Sequence, residues 1–290
     1  MKNLKKSKAL LLVVSITLVL SFGQMVTAQQ ATNTANAPLT QLTTEEGKTF
    51  GVGEPKVKNG SAKSIKHKRA MKKNEVEQSI SFIPSADNNS IEIPFEFSNG
   101  EYLELYKDND RAPEGVSKEK SANGIAGNIY NKYGRSIGVF SARIIGGEEQ
   151  DNLIAETNGN ILSLQTNVNS TNAPIEIELL AAATYYKDYF SSFAWINRGG
   201  TYPLSLSLTH TNYIYEASTT QEEEARMFDS WDKLYAVHSS NTTNWSNTQG
   251  MKDQYFCHVQ FAESKNPWNL EPGRPDVGWW NTVLSLCNPG

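Results

Sequence analysis

Cysteine is scarce in this chain: Cys257 and Cys287 are the only two. Neither stands near a leader's cleavage site, which speaks against a lipid-anchored lipoprotein. After Phe22 no second long apolar run occurs, so no later segment reads as a bilayer-spanning helix. No serine sits in a Gly-x-Ser-x-Gly elbow and no glycine-rich phosphate loop is present, which removes those two routes to acyl and phosphoryl chemistry. Basic side chains are the minority, 27 Lys and Arg against 31 Asp and Glu. That balance speaks against general nucleic-acid binding, which rests on Lys and Arg neutralising phosphates.

What is present begins with a leader. Lys2, Lys5, Lys6 and Lys8 precede an uncharged apolar run from Ala9 to Phe22, and Val26-Thr27-Ala28 follows. This is the three-part layout of a secretory signal, with cleavage expected after Ala28. The apolar run is too short for a transmembrane helix, which needs roughly 20 residues. Four of the 27 basic residues lie in the leader, so its loss leaves 23 against 31 acids, a net charge of −8. In an oxidising, exported setting Cys257 and Cys287 most simply pair with each other. The loop they would close is worth about 3 to 4 kcal/mol by chain-entropy arithmetic.

Residues 29–74 read as a disordered tail with few large apolar side chains. A chain begun near Asn74 is therefore expected to keep the full thermal transition. Within the tail Lys63, Lys66, Lys68, Arg69, Lys72 and Lys73, with His67 among them, form a basic cluster. It is open to three readings: a solvated tail, an anchor on an anionic wall or membrane polymer, and a propeptide cut at the basic residues.

Residues 75–182 read as all-β. Ile91, Ile93, Phe95 and Phe97 alternate with polar residues, the period of a strand. Ser98-Asn99-Gly100 is a turn signal, with Tyr102 to Tyr106 as the answering strand. Ile125 to Tyr130 and Ser136 to Ile144 form a second hairpin. Asn152 to Glu156 and Ile161 to Gln165 form a third. Ile175 to Leu179 completes seven short strands, a small sandwich or barrel. The region has no Cys, His or Trp and offers no catalytic constellation.

Residues 183–290 differ in kind, holding all six Trp and three of the four His. Phe190 to Asn197 pairs with Tyr202 to Thr209 across Arg198-Gly199-Gly200-Thr201. Leu204, Leu206 and Leu208 face one side and Ser205 and Ser207 the other, so one face is buried and one wet. Thr219 and Glu222 make a capping box, and Ala225, Phe228, Trp231 and Tyr235 recur at helical spacing. Gln254 to Phe261 alternates like a strand, with Tyr255, Cys257, Val259 and Phe261 on the core side. Pro267, Pro272 and Pro275 then exclude a regular helix or central strand, so Lys265 to Trp280 reads as an irregular Trp-rich loop tied by the disulfide. The fold class is thus mainly β with a minor α component. A small β-sandwich or barrel precedes a C-terminal α+β domain with an antiparallel sheet, one main helix and the tied loop.

Any chemistry should lie in that loop. The candidate cluster is His258, Glu271, Arg274 and Asp276, with Lys265 near it. A carboxylate beside an imidazole serves as general acid and base, and two carboxylates can flank a glycosidic bond. The same residues suit a structural ion-pair knot, in which Arg274 bridges acids and fixes an irregular loop. No second His or acid stands at metal-ligand spacing beside His258, so neither metal nor cofactor is expected.

Asp253-Gln254-Tyr255-Phe256-Cys257-His258-Val259, then Lys265, then WNLEPGRPDVG from Trp268 to Gly278, then Cys287-Asn288-Pro289, resembles the C-terminal signature of a secreted bacterial family known as domain of unknown function 2599. The resemblance covers about the last third of the chain and departs at Gly273, where the family pattern often has an aromatic. It implies export and a paired-cysteine domain, and no activity. The leading expectation is a non-enzymatic secreted binding or interaction module, loosely associated with the cell wall or acting on another organism. Its partner would be a cell-envelope polymer or surface protein. The alternatives are a secreted hydrolase of wall glycan or peptide, using His258 with Glu271 or Asp276, and an exported toxin. Exposure of the Glu271 carboxylate separates enzyme from module.

Overall fold

The structure, a computed structural model, describes residues 39–58, 65–84, 90–106, 124–146, 152–167 and 174–290. The expected leader, Met1 to Ala28, lies outside the described residues. Residues 37–290 form one compact unit. Its strands in chain order are β1 (Thr40–Thr43), β2 (Thr49–Val52), β3 (Lys56–Val57), β4 (Lys66–Lys72), β5 (Glu75–Phe82), β6 (Ser90–Glu96), β7 (Tyr102–Leu105), β8 (Gly124–Tyr130), β9 (Ser136–Ile145), β10 (Leu153–Asn158), β11 (Ile161–Thr166) and β12 (Ile175–Ala183). Then come α1 (Tyr186–Tyr189), β13 (Phe190–Asn197), β14 (Leu204–His210), α2 (Thr220–His238), α3 (Thr248–Phe261), β15 (Trp268–Leu270) and α4 (Trp279–Leu284).

The first twelve strands make a sandwich of two antiparallel sheets. One runs β1-β2-β6-β11-β10 with β3 beside β6, and the other β4-β5-β12-β9-β8-β7. The alternation read in β6 holds, with Ile91, Ile93 and Phe95 all in the core. Across from them the second sheet contributes Val76, Ile80, Phe140, Ile177 and Leu179 to the same cluster. The hairpins β8–β9 and β10–β11 form as expected. The Asn99-Gly100 turn does not close a hairpin: β6 pairs with β11 while β7 pairs with β8, so the turn carries the chain from one sheet to the other.

The disordered-tail expectation fails for the described part of residues 29–74. Leu42, Phe50 and Val52 are fully buried in the sandwich core. The basic cluster is largely an edge strand: β4 pairs with β5 over Lys66–Lys72, with most of its side chains outside. Arg69 donates to Thr40 at 2.7 Å, and Lys72 pairs with Glu77 at 2.6 Å. Lysine on an outermost strand discourages pairing with another chain. Mean apolar content misled here because a strand needs only a few large side chains, correctly spaced. Lys63 and residues 29–38 lie outside the described residues.

Three further expectations need correction. Gln254 to Phe261 is not a strand but the last eight residues of α3. Every residue from Asp253 to Val259 is buried, the polar Asp253, Gln254 and His258 among them, so polarity does not mark an outer face and the helix carries neither a stripe nor a true alternation. The Trp-rich loop contains two regular pieces, β15 paired with β14 and the short α4, both set between or beyond the prolines. Ser205 is buried rather than wet, while Ser207 on the same face is half-buried.

The C-terminal region also has two long helices instead of one. Helix α2 starts where its capping residues place it: Thr219 Oγ1 accepts the Glu222 N–H at 3.1 Å. The Glu222 carboxylate reaches back one residue past the cap, to Ser218 N–H. Thr219→Ala should cost about 1 kcal/mol, read as a lower urea midpoint at unchanged slope. Helix α2 packs against the second sheet through Ala225 on Ala126, Val139 and Ala182. Its other side, through Met227, Trp231 and Leu234, joins the aromatic core of the C-terminal region with Tyr255, Phe256 and Trp268.

Candidate functional site

Strand β15 gives one edge to β14. Its other edge meets α3, and two side chains one helical turn apart satisfy the backbone there. Gln254 accepts the Glu271 N–H at 2.9 Å and donates to the Glu271 carbonyl at 3.1 Å. His258 Nε2 lies 3.3 Å from the Asn269 carbonyl, which makes it the protonated nitrogen. The amide and the imidazole thus stand where a further strand would, so an irregular segment keeps its buried backbone groups paired.

His258 is sealed. It is 1% exposed, its ring lies parallel to Trp268, and Nδ1 has no partner among the described residues. Burial, with the positive charges of Lys265 and Arg274 adding to it, pushes its pKa down to about 4. The unfolded chain therefore takes up this proton first, and stability drains as pH falls from about 6.5 towards 4. Asp232 opposes it: burial pushes that carboxyl up to about 6, so its share of stability is larger at low pH and is lost as pH rises from about 4 to 6. His258→Gln keeps a donor for Asn269 and removes the titration. Its urea-unfolding stability should fall less between pH 7 and 4.5 than the wild type's, by on the order of 2 kcal/mol.

Glu271, at the end of β15, is 2% exposed. Arg274 Nε donates to its Oε2 at 2.8 Å, and Arg198 Nη1 to its Oε1 at 2.9 Å. Arg274 also donates to the Pro289 carbonyl at 2.9 Å and lies over the Tyr202 ring at 5.0 Å. Asn247, the cap of α3, donates to the Arg274 carbonyl at 2.6 Å. The disulfide joins Cys257 on α3 to Cys287, with 5.4 Å between their Cα atoms. It and Arg274 therefore fasten the same C-terminal tail from two sides.

The structure brings together only Glu271 and Arg274 of the candidate cluster. Asp276 is exposed and accepts the Gly278 N–H in a local turn. Lys265 is exposed too, its carbonyl facing His210 Nε2 at 3.2 Å. Among the described residues no carboxylate is hydrogen-bonded to His258, whose ring faces Trp268 and the Asn269 carbonyl. Sequence reading missed Arg198, which sits 73 residues from its partner in a turn noted only for its glycines. Around the carboxylate the Arg198–Tyr202 turn, Glu271 and Arg274 line an open groove of about 410 Å³.

Sequence reading also missed a buried polar seam between α2 and the sandwich. Asp229, fully buried, accepts from Tyr189 at 2.6 Å and from the Ser136 hydroxyl at 2.5 Å. Lys233 donates to the Ser136 carbonyl at 3.0 Å, and Asp232 accepts the Ser136 N–H at 2.8 Å. One turn pair earlier, Arg226 clasps Glu222. The seam is fully partnered at Asp229 and reads as structural. Among the described residues no cluster of His, Cys, Asp or Glu could hold a metal ion. No described helix is long and apolar enough to cross a membrane.

Three curated proteins align with part of this chain, one of Mycobacterium bovis and two of Mycobacterium tuberculosis, each described only as uncharacterized. Each is 47% identical over 49 residues, 16% of this chain. The alignment spans a third of the relatives' own length, 33%. The comparison with solved structures found no match. The groove and the disulfide-tied loop lie within residues 191–290, the stretch that matches the family described as "Protein of unknown function (DUF2599)".

Proposed function

We propose that this is an exported, non-enzymatic binding module acting at the cell surface or on another organism, with a cell-envelope polymer or surface protein as its partner. The observation that carries this is the state of Glu271. Its carboxylate is buried and each oxygen already accepts a guanidinium N–H. A general acid or base must exchange a proton with substrate at hydrogen-bond distance, and this one is 2% exposed with a guanidinium donor already on each oxygen. His258 is equally withdrawn. What faces outward is a groove flanked by two arginines. Export is supported by the leader layout and is in keeping with the disulfide, since such bonds persist in oxidising compartments.

The test is to incubate the purified mature protein with a panel of cell-wall fractions, scoring both retention of the protein and release of soluble fragments. Retention without release is expected. Fragment release that disappears in a Glu271→Gln variant melting at the parent's temperature would instead establish the hydrolase.

A further inference from the structure

One carboxylate and one guanidinium complete a structural knot. Here Glu271 holds two guanidiniums, and the second, Arg198, keeps 46% of its side chain exposed. A guanidinium carries five N–H donors. Arg198 spends one on protein and Arg274 two. The others have no protein partner among the described residues, and both side chains reach solvent, Arg198 at 46% and Arg274 at 18% exposure. The carboxylate therefore clasps two forks side by side and leaves one positive charge uncompensated, in a mature chain that is otherwise acidic.

The groove in front of them has an unusual lining. It is made of arginine, glycine, threonine, tyrosine and the one glutamate, with no aliphatic side chain. An apolar ligand gains nothing there. Gly199 and Gly200 stand at φ of 72° and 77°, so the turn needs glycine, and a Cβ at either would project into open space. The turn can thus be approached at its backbone. Tyr202 is braced on one face by Arg274. The volume falls within the range of roughly 300 to 1,000 Å³ common for small-molecule sites.

We propose that this groove binds an acidic saccharide or polyol, a hydroxyl-rich unit carrying a carboxylate or phosphate that the free edges of Arg198 and Arg274 take as a fork. Arginine suits planar and phosphate oxyanions by offering parallel N–H groups. The hydroxyls meet Thr201, Tyr202 and the open turn. The proposal rests on the binding-module reading and names the chemistry its partner must present.

The experiment titrates the mature chain, followed by calorimetry, with glucose 6-phosphate and glucuronate, and with glucose and inorganic phosphate as controls. The two acidic sugars together distinguish a phosphate source from a carboxylate source. Saturable binding of at least one is expected, with glucose and inorganic phosphate each weaker by at least about tenfold. Arg198→Gln, at a half-exposed position, should fold and should weaken the acidic sugar by at least about tenfold. Arg143→Gln, on the sandwich and paired with Glu178, should not. Equal binding by Arg198→Gln and wild type overturns the proposal, as does glucose binding as tightly as its 6-phosphate or neither acidic sugar binding at all. Inorganic phosphate matching glucose 6-phosphate overturns the saccharide part. Should Arg198→Gln stay on wall fractions as firmly as wild type, the groove is wrong and the binding-module reading stands. Failure of the wild type itself to be retained sinks that reading instead.

Discussion

Glu271→Gln should lower the unfolding free energy by about 3 to 5 kcal/mol, the range for removing one member of a buried ion pair. The reason lies in what remains. Glutamine fills the same space, but two guanidiniums then face each other across a neutral amide with their countercharge gone. Arg274→Ala should cost about 3 kcal/mol: it strips one oxygen of the buried Glu271 carboxylate of its donor and frees the Pro289 carbonyl. Arg198→Ala should cost under about 1 kcal/mol, because its side chain is half in water, where screening and side-chain entropy cancel most of the attraction. The order Glu271, Arg274, Arg198 is the test. Differential scanning calorimetry should register a shift on the order of 10 °C for the first. An active-site acid held at a cost to the fold behaves in the opposite way, with Glu271→Gln neutral or stabilising. That result would return the enzyme reading to first place.

The ion pair was legible because it is local. Glu271 and Arg274 are three residues apart in a segment where prolines forbid a regular ladder, so a charged knot is one of few ways to fix it. The pairing of Cys257 with Cys287 was legible for a similar reason, since two cysteines allow one partnership. Thr219 announced α2 through chemistry that needs only four residues. Arg198 was not legible, because nothing in a glycine turn says which distant carboxylate it meets. Helix α3 was misread for a physical reason. Its buried circumference includes Asp253, Gln254 and His258, so polar residues do not gather on one outer face, and chance then spaced Tyr255, Cys257 and Val259 at two. The sandwich was half legible. Strands with regular alternation stood out, while β1 and β2, whose large buried side chains are Leu42, Phe50 and Val52, were hidden by the polar residues around them. The exported setting and the partner rest on the leader and the groove, and their tests are the wall-fraction and sugar titrations.

The largest effect is expected from deleting residues 29–73, and it reverses what composition alone suggests. A chain begun at Asn74 loses β2 and β3, which pair with β6 in the first sheet, β1, which pairs with β2, and β4, which covers the edge of β5 in the second. It loses Phe50, fully buried and in aromatic contact with Phe97 at 6.3 Å. It also loses the Thr43 carbonyl that accepts the Tyr185 hydroxyl at 2.7 Å, a bond between the first strand and the start of the C-terminal region. Truncating a single buried Phe or Leu to Ala costs about 2 to 5 kcal/mol. Removing Leu42, Phe50 and Val52 together with two sheet edges therefore consumes the whole of a stability of about 5 to 15 kcal/mol. The truncated chain should show no cooperative transition near the wild-type temperature and should aggregate through the bared edges of β5 and β6. Phe50→Ala in the full mature chain provides the graded control, with an expected loss of about 3 to 5 kcal/mol and an unchanged native circular-dichroism spectrum. A truncated protein that melts cooperatively within a few degrees of the parent would mean that β1 to β4 are accessory to the sandwich. Their buried side chains would then have to be replaced by rearrangement of β5 and β6.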